Sequence, residues 1–322
     1  MARIVVAFGG NALGSTPSEQ KEKVTLAAKT VAELVCQGHE LIICHGNGPQ
    51  VGMINLGLSH SAADGVIGAE MPFPECSAMS QGYIGYHLQN AIARELHAQR
   101  ISKQVVTLIT QVEVDPSDPA FLSPSKPIGS FLSEAEAGKR MAADPCAVFR
   151  EDAGRGWRRV VASPRPVDVV EKESILQLVN AGALVIACGG GGIPVLKRGE
   201  GDYAGVSAVI DKDLASECLA EIADADYLYM LTAVDRVCLN YNKPGQTELK
   251  AMSCREAGEY AAQGQFAPGS MLPKVEAGIK FASSKAGRKA VICSLENVEP
   301  ALSGKSGTII SDEADMPGRI TP

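Results

Sequence analysis

The chain has 322 residues, enough for one large or two ordinary domains, with about three quarters of the unfolded surface available for burial. Hydrophobic residues make up 45% and charged residues 21%, a globular balance that excludes a disordered chain. Thirty Lys and Arg against 37 Asp and Glu give a net charge of -7, which disfavours nucleic acid or an anionic membrane as a partner and confines any polyanion site to a local cluster.

Glycine is the outlier at 33 residues, about a tenth of the chain against a usual ~7%. No Gly-x-y period spreads them, so collagen is excluded and their placement carries the information. The nine cysteines and five histidines are scattered, without a Cys-x-x-Cys pair or ligand spacing. They argue against a disulfide framework and against a metal held by protein side chains. No apolar run approaches the ~18 residues of a membrane span, and a strand-like run starts at Ile4, too soon for a signal or transit peptide. The expectation is a soluble, cytoplasmic protein.

In chain order, residues 4–8 (Ile-Val-Val-Ala-Phe) read as a strand running into Gly9-Gly10-Asn11. Val24, Ala27, Ala28, Val31, Leu34 and Val35 then form the stripe of an amphipathic helix, ended by Gly38. A strand over 41–44 runs into His45-Gly46-Asn47-Gly48, and Tyr83, Ile84, His87, Leu88, Ala91, Ile92 and Leu96 spell a second helix. A strand over 105–109 follows. Residues 115–170, rich in proline and carrying the charged stretch 150–159, break the alternation as a surface excursion, a hairpin insertion or a lid. A strand over 183–188 runs into Gly189-Gly190-Gly191-Gly192. Strands over 227–231 and 290–293 and helices near 213–222, 253–263 and 273–285 complete the pattern.

Strand, glycine turn and helix in repetition predict an α/β fold with a mostly parallel sheet covered on both faces. Its ligands bind at the carboxyl ends of the strands, where all three glycine clusters fall. Backbone N–H groups and helix starts converge there, and phosphate is the natural occupant. The common nucleotide signatures fail: Gly46 to Gly52 spaces its third glycine one residue late for a dinucleotide fingerprint, and Glu299 stands where a Walker A loop ending in Gly304-Lys305-Ser306 needs glycine.

Three lysines have unusual neighbours. Lys126 lies between Pro124 and Pro127, Lys212 between Asp211 and Asp213, and Lys274 follows Pro273 at a helix start. Phosphoryl transfer calls for such point charges around the moving group, and the flanking acids can hold them in place.

Together these stretches resemble the carbamate kinases of the amino acid kinase family. The carrying motifs are residues 5–12, 45–52, 126–129, 151–158, 188–194, 209–216 and 267–274, in the family's order. The resemblance implies a three-layer αβα sandwich, the amino acid kinase-like fold, with a protruding subdomain at about 126–170. It implies an amino-terminal lobe (1–220) for carbamoyl phosphate and a carboxyl-terminal lobe (221–322) for the nucleotide. The implied activity is reversible phosphoryl transfer between carbamoyl phosphate and ADP, giving ATP and carbamate, with Mg²⁺ carried by the ADP or ATP phosphates. It would serve ATP generation in arginine or other carbamoyl phosphate catabolism.

By the same resemblance, Lys126, Lys212, Asp213 and Lys274 are the catalytic set. Gly9, Gly10, Asn11, Gly46, Asn47, Gly189 and Gly190 bind the substrate, and Asp211, Thr232, Val234, Asp235, Tyr241, Met271 and Lys274 the nucleotide. A homodimer is expected. Relatives that phosphorylate acyl substrates carry lysine where this chain has Ala7, so Lys126 and Lys212 are expected to replace that cation. A binding-only sensor and a kinase for another acceptor are the competing readings. The retained lysines and Asp213 speak against the first, and Ala7 with the 115–170 insertion against the second.

Overall fold

The computed structural model describes residues 1–9, 16–144, 147–152 and 154–312. An eight-stranded sheet forms its centre, in the spatial order Ala251–Ser253, Thr308–Ser311, Lys289–Ser294, Tyr227–Thr232, Arg3–Phe8, Glu40–His45, Leu184–Ile186 and Val105–Thr107. Every pairing is parallel except that of Lys289–Ser294 with Thr308–Ser311. Arg3–Phe8 is central: Ile4 lies opposite Tyr227 on one side and Leu41 on the other. The chain leaves this strand towards Glu40–His45 and returns much later beside it as Tyr227–Thr232. Such a switch in strand order opens a crevice at the carboxyl ends.

Alternation along the strands builds two cores. Val5, Ala7, Ile42, Cys44, Leu228 and Met230 face helices Lys172–Asn180, Lys212–Ile222, Cys254–Ala262 and Met271–Ser284. Ile4, Val6, Phe8, Leu41, Ile43, Tyr229 and Leu231 face helices Pro17–Cys36, Phe73–Ala98 and Val298–Leu302. The layers are helix, sheet, helix, as the sequence predicts. Because both faces are covered, the central strands are apolar nearly throughout. Truncating a fully buried residue such as Ile43 or Leu88 to alanine costs ~2–5 kcal/mol.

Regular structure departs from the sequence reading in identifiable places. The strand expected over 183–188 ends at Ile186, and Cys188 adopts φ 50°, ψ 34°, a left-handed turn that no ladder tolerates. Helix Gly48–Ala63 fully buries Gln50, Val51, Gly52 and Asn55, while Val51, Ile54 and Leu58 form a short stripe packed on Phe73, Ile128 and Val161. Buried polar and small residues interrupt that stripe and weaken its signal in the sequence.

The 115–170 stretch is more than a hairpin. Strands Lys126–Leu132, Trp157–Val161 and Val148–Glu151 form an antiparallel sheet of their own, with helix Glu134–Ala143 begun by a Ser133/Glu136 capping box. This small sheet meets the rest of the fold where Gly129 touches Gly52: a Cβ on Gly52 would lie 2.1 Å from the Gly129 Cα. Ile128 and Val161 share a buried cluster with Val51 of helix Gly48–Ala63; beyond it lies a cavity of about 370 Å³ bounded by Asn55, His60, Arg140 and Arg159, bridged where Arg159 Nη1 donates to Asn55 Oδ1 at 3.1 Å.

Candidate active site

Gly9, the Gly46–Gly48 turn and the Gly189–Gly192 run follow the carboxyl ends of adjacent strands, as expected, but glycine is required in the last of them for more than backbone donors. A Cβ on Gly189 would lie 2.4 Å from His45 Nε2, and one on Gly190 would lie 2.1 Å from Asn47 Nδ2. On Gly191 it would lie 2.2 Å from the Ile210 carbonyl oxygen, and on Gly192 2.2 Å from Val112 Cγ2. Gly190, Gly191 and Gly192 also have φ of 68°, 95° and 83°, where a side chain is strained. The run is a junction at which three strand ends and the entry to helix Lys212–Ile222 close on one another.

The polar groups beneath this turn are engaged within the protein. The Gly46 N–H donates to the Phe8 carbonyl at 3.0 Å, and Asn47 Nδ2 donates to Ser80 Oγ at 2.8 Å. Gln81 and Thr110 exchange two hydrogen bonds, and the Cys188 N–H donates to Thr110 Oγ1 at 3.1 Å. His45 is buried, and burial pushes its imidazole down to about 4, so the ring is neutral at physiological pH. Gly46, Asn47, Gly189 and Gly190 thus shape the floor of the crevice. Gly9 closes the first strand, while Gly10 and Asn11 lie outside the described residues.

Above the floor, residues far apart in sequence meet in one chain of charges. Asp211 caps helix Lys212–Ile222: its Oδ1 accepts from the Asp213 N–H at 2.9 Å, and its Oδ2 accepts from Lys126 Nζ of the small sheet. Asp213 Oδ1 accepts from Lys212 Nζ and Oδ2 from Lys274 Nζ, each at 2.6 Å. Lys274 reaches this point because Pro273 and Met271 open helix Met271–Ser284 beside it.

Asp213 is 3% and Lys274 7% exposed, so these charges are desolvated and strongly coupled. Burial alone would raise the Asp213 carboxyl, but the Lys212 and Lys274 ammoniums overcome it and hold the group well below the usual carboxylate range. Burial works against charge on Lys212 too, yet Asp213 and Asp211 raise it above the ordinary lysine value. Lys274 is lowered, by burial and then by the Lys212 charge. One carboxylate thus clamps two ammoniums side by side, a concentration of positive charge suited to a polyanion.

The remaining expected positions lie at and beyond the neighbouring strand end. Thr232 ends strand Tyr227–Thr232, with Val234 in the loop beyond, and Tyr241 is an exposed side chain between the positive-φ residues Asn240 and Asn242. The Asp235 carboxylate accepts from Asn297 Nδ2 at 2.9 Å and Ser306 Oγ at 2.5 Å, which pins the loop to the turn before Thr308–Ser311. Sequence reasoning missed Ser80, Gln81 and Thr110. Ser77, Ser80 and Gln81 occupy the buried face of helix Phe73–Ala98, and polar residues on an apolar stripe were the available signal.

Residues 2–294 match the profile of the Amino acid kinase family. The chain is 53% identical over 310 residues to a carbamate kinase of Staphylococcus haemolyticus, covering 96% of this chain and 99% of that one. It is 51% identical over 308 residues to the carbamate kinase-like protein YqeA of Escherichia coli K12, covering 96% and 98%. Among solved structures, carbamate kinase from Giardia lamblia bound to AMP-PNP superimposes with a TM-score of 0.88 at 42% identity, over 97% of this chain and 99% of that one. With its αβα layers, glycine floor and lysine cluster in place, the chain belongs to the amino acid kinase family, in its carbamate kinase branch.

Proposed function

We propose that the protein is a phosphotransferase that moves a phosphoryl group reversibly between carbamoyl phosphate and ADP, giving ATP and carbamate. The observation that carries this reading is Asp213 clamping Lys212 and Lys274 at the mouth of a glycine-floored crevice, in a chain whose carbamate kinase relatives match it from end to end. In the ATP-forming direction, a β-phosphate oxygen of ADP attacks phosphorus while the bond from phosphorus to the carbamate oxygen breaks. The attacking oxygen is already anionic, so no general base is needed. The chain's task is to hold two anions in line and offset charge on the transferred group.

Lys212 and Lys274 take that role, with Lys274 from the nucleotide side. Lys126 exchanges its Asp211 partner for the substrate phosphate, supplying the cation that Ala7 does not. Asp211 and Asp213 are both occupied by ammonium groups, which suits them to holding lysines. Mg²⁺ enters with the substrate as MgADP, carried by the nucleotide phosphates.

In this reading residues 1–220, with the protruding sheet, serve carbamoyl phosphate and 221–322 the nucleotide, through Thr232, Val234, Tyr241 and Met271. The protein works as a cytoplasmic homodimer that generates ATP from carbamoyl phosphate arising in arginine breakdown or similar catabolism. No helix among the described residues is long and apolar enough to cross a membrane. The test is to supply carbamoyl phosphate and MgADP and measure ATP: sustained ATP formation is expected. Binding of both ligands without ATP would overturn the reading in favour of a sensor.

A further inference from the structure

Helices Lys212–Ile222 and Met271–Ser284 pack side by side and are tied at two levels. The first tie is Asp213 with Lys274, described above. The second lies deeper along both helices, where Lys280 Nζ donates to Glu217 Oε2 at 2.7 Å. Glu217 is 1% exposed, whereas half of the Lys280 side chain faces solvent. An acid this buried is costly unless all of its oxygens are satisfied.

The other oxygen, Glu217 Oε1, is buried without a donor. One turn along the same helix stands Glu221, and side chains four residues apart on a helix are neighbours; it is another acceptor. Two neighbouring carboxylates favour a proton on one of them. The remaining titratable neighbours are Lys280 from the facing helix, Cys218, and beyond Cys218 the Asp168 of strand Pro166–Val169, itself paired with Lys172 at 2.5 Å. None of these supplies a donor to Oε1. Burial, and then the Glu221 carboxyl, pushes Glu217 up to about 8 against the pull of Lys280.

We propose that Glu217 is a positioning residue of the phosphoryl-transfer site: as a neutral acid bridging Lys280 and Glu221, it sets how the two helices lie together and so where Lys212 and Lys274 stand across Asp213. In the neutral form Oε2 accepts from Lys280 and Oε1–H donates to Glu221. When the proton leaves, Glu217 and Glu221 repel each other inside the helix pair, and the register that carries the two ammoniums loosens. Glu217 touches no substrate; it acts through the helices. The proposal rests on the activity proposed above for the effect on turnover, and on the fold alone for the protonation state.

The experiment compares wild type with Glu217→Gln, whose amide accepts from Lys280, donates to Glu221 and cannot titrate, and with Glu217→Ala. With saturating carbamoyl phosphate and MgADP, the wild-type kcat is expected to fall as pH rises through about 8. Glu217→Gln should match wild type at pH 7 and lose that fall. Glu217→Ala should lower kcat by about ten- to a hundredfold with KM for MgADP unchanged.

Unfolding temperature against pH reads protonation without activity. The folded chain retains a proton that the unfolded chain releases above the ordinary glutamate range, so this group makes stability fall as pH rises towards about 8. Glu217→Gln should remove that slope. Persistence of the pH-dependent kcat or of the slope in Glu217→Gln overturns the proposal, as does a folded Glu217→Ala with wild-type kcat. A wild type that makes no ATP overturns the activity and the positioning role, and the slope still decides the protonation state.

Discussion

The turn at Gly189–Gly192 and the small sheet that carries Lys126 approach the same crevice, yet they are attached to the protein in opposite ways. The turn is enclosed by His45, Asn47, Ile210 and Val112, each too close for a Cβ. The sheet meets the body at the Gly52–Gly129 contact, through Ile128 and Val161 in a buried cluster with Val51, Phe73 and Val209, and at the Arg159–Asn55 and Lys126–Asp211 pairs, with a cavity beside them. One region is fixed by close steric contacts on every side; the other ends in a lysine held by an ion pair. Changes in the first should therefore register in stability, and changes in the second in turnover.

The largest effect is expected at the turn. Gly191→Ala forces a methyl group against the Ile210 carbonyl at a φ of 95°, a backbone atom that cannot step aside. Overpacking together with left-handed strain should destabilise the protein by about 2–5 kcal/mol, read from urea unfolding.

His45, beneath Gly189, offers a milder break of the same region. Its buried ring has a depressed value of about 4, so the unfolded chain binds a proton that the folded chain refuses. Stability contributed by this group is therefore lost as pH falls from about 6.5 towards 4, by up to about 3 kcal/mol. Glu217 pulls the opposite way over much of this range, so wild-type stability should change little there. In His45→Gln the acid-side loss should disappear, and stability should decline steadily with rising pH.

The small sheet should show the converse. Lys126→Ala removes the charged tip. It should lower kcat by about tenfold or more, by deleting one substrate cation, while the unfolding midpoint and MgADP affinity barely move. A loss of stability comparable to that of Gly191→Ala would show that the small sheet is part of the rigid body after all.

Much of this was legible in the sequence, for physical reasons that differ by element. Strands such as Arg3–Phe8 and Tyr227–Thr232 are buried on both faces and announce themselves as apolar runs. Asp211, Lys212 and Asp213 stand together in the chain, so their company at the site was readable. That Asp213 holds Lys274, 61 residues away, depends on two helices converging and was available only through family resemblance. The steric role of the glycine run was hidden because its partners come from three other segments. Helix Gly48–Ala63 was obscured by the polar residues within its buried face, and the charged insertion read only as a surface excursion, hairpin or lid because its short antiparallel strands bury few residues.

Asp213 holds Lys212 and Lys274 together, and the proposed transfer depends on that pairing. The most direct measurement is kcat for ATP formation by Asp213→Asn, which keeps the size of the side chain and removes its charge. With unfolding and MgADP binding monitored in parallel, the account predicts a folded, nucleotide-binding protein whose kcat falls by about 10²-fold or more, because the Lys212 and Lys274 ammoniums repel once the shared carboxylate is gone. A folded Asp213→Asn protein that turns over at the wild-type rate would contradict it.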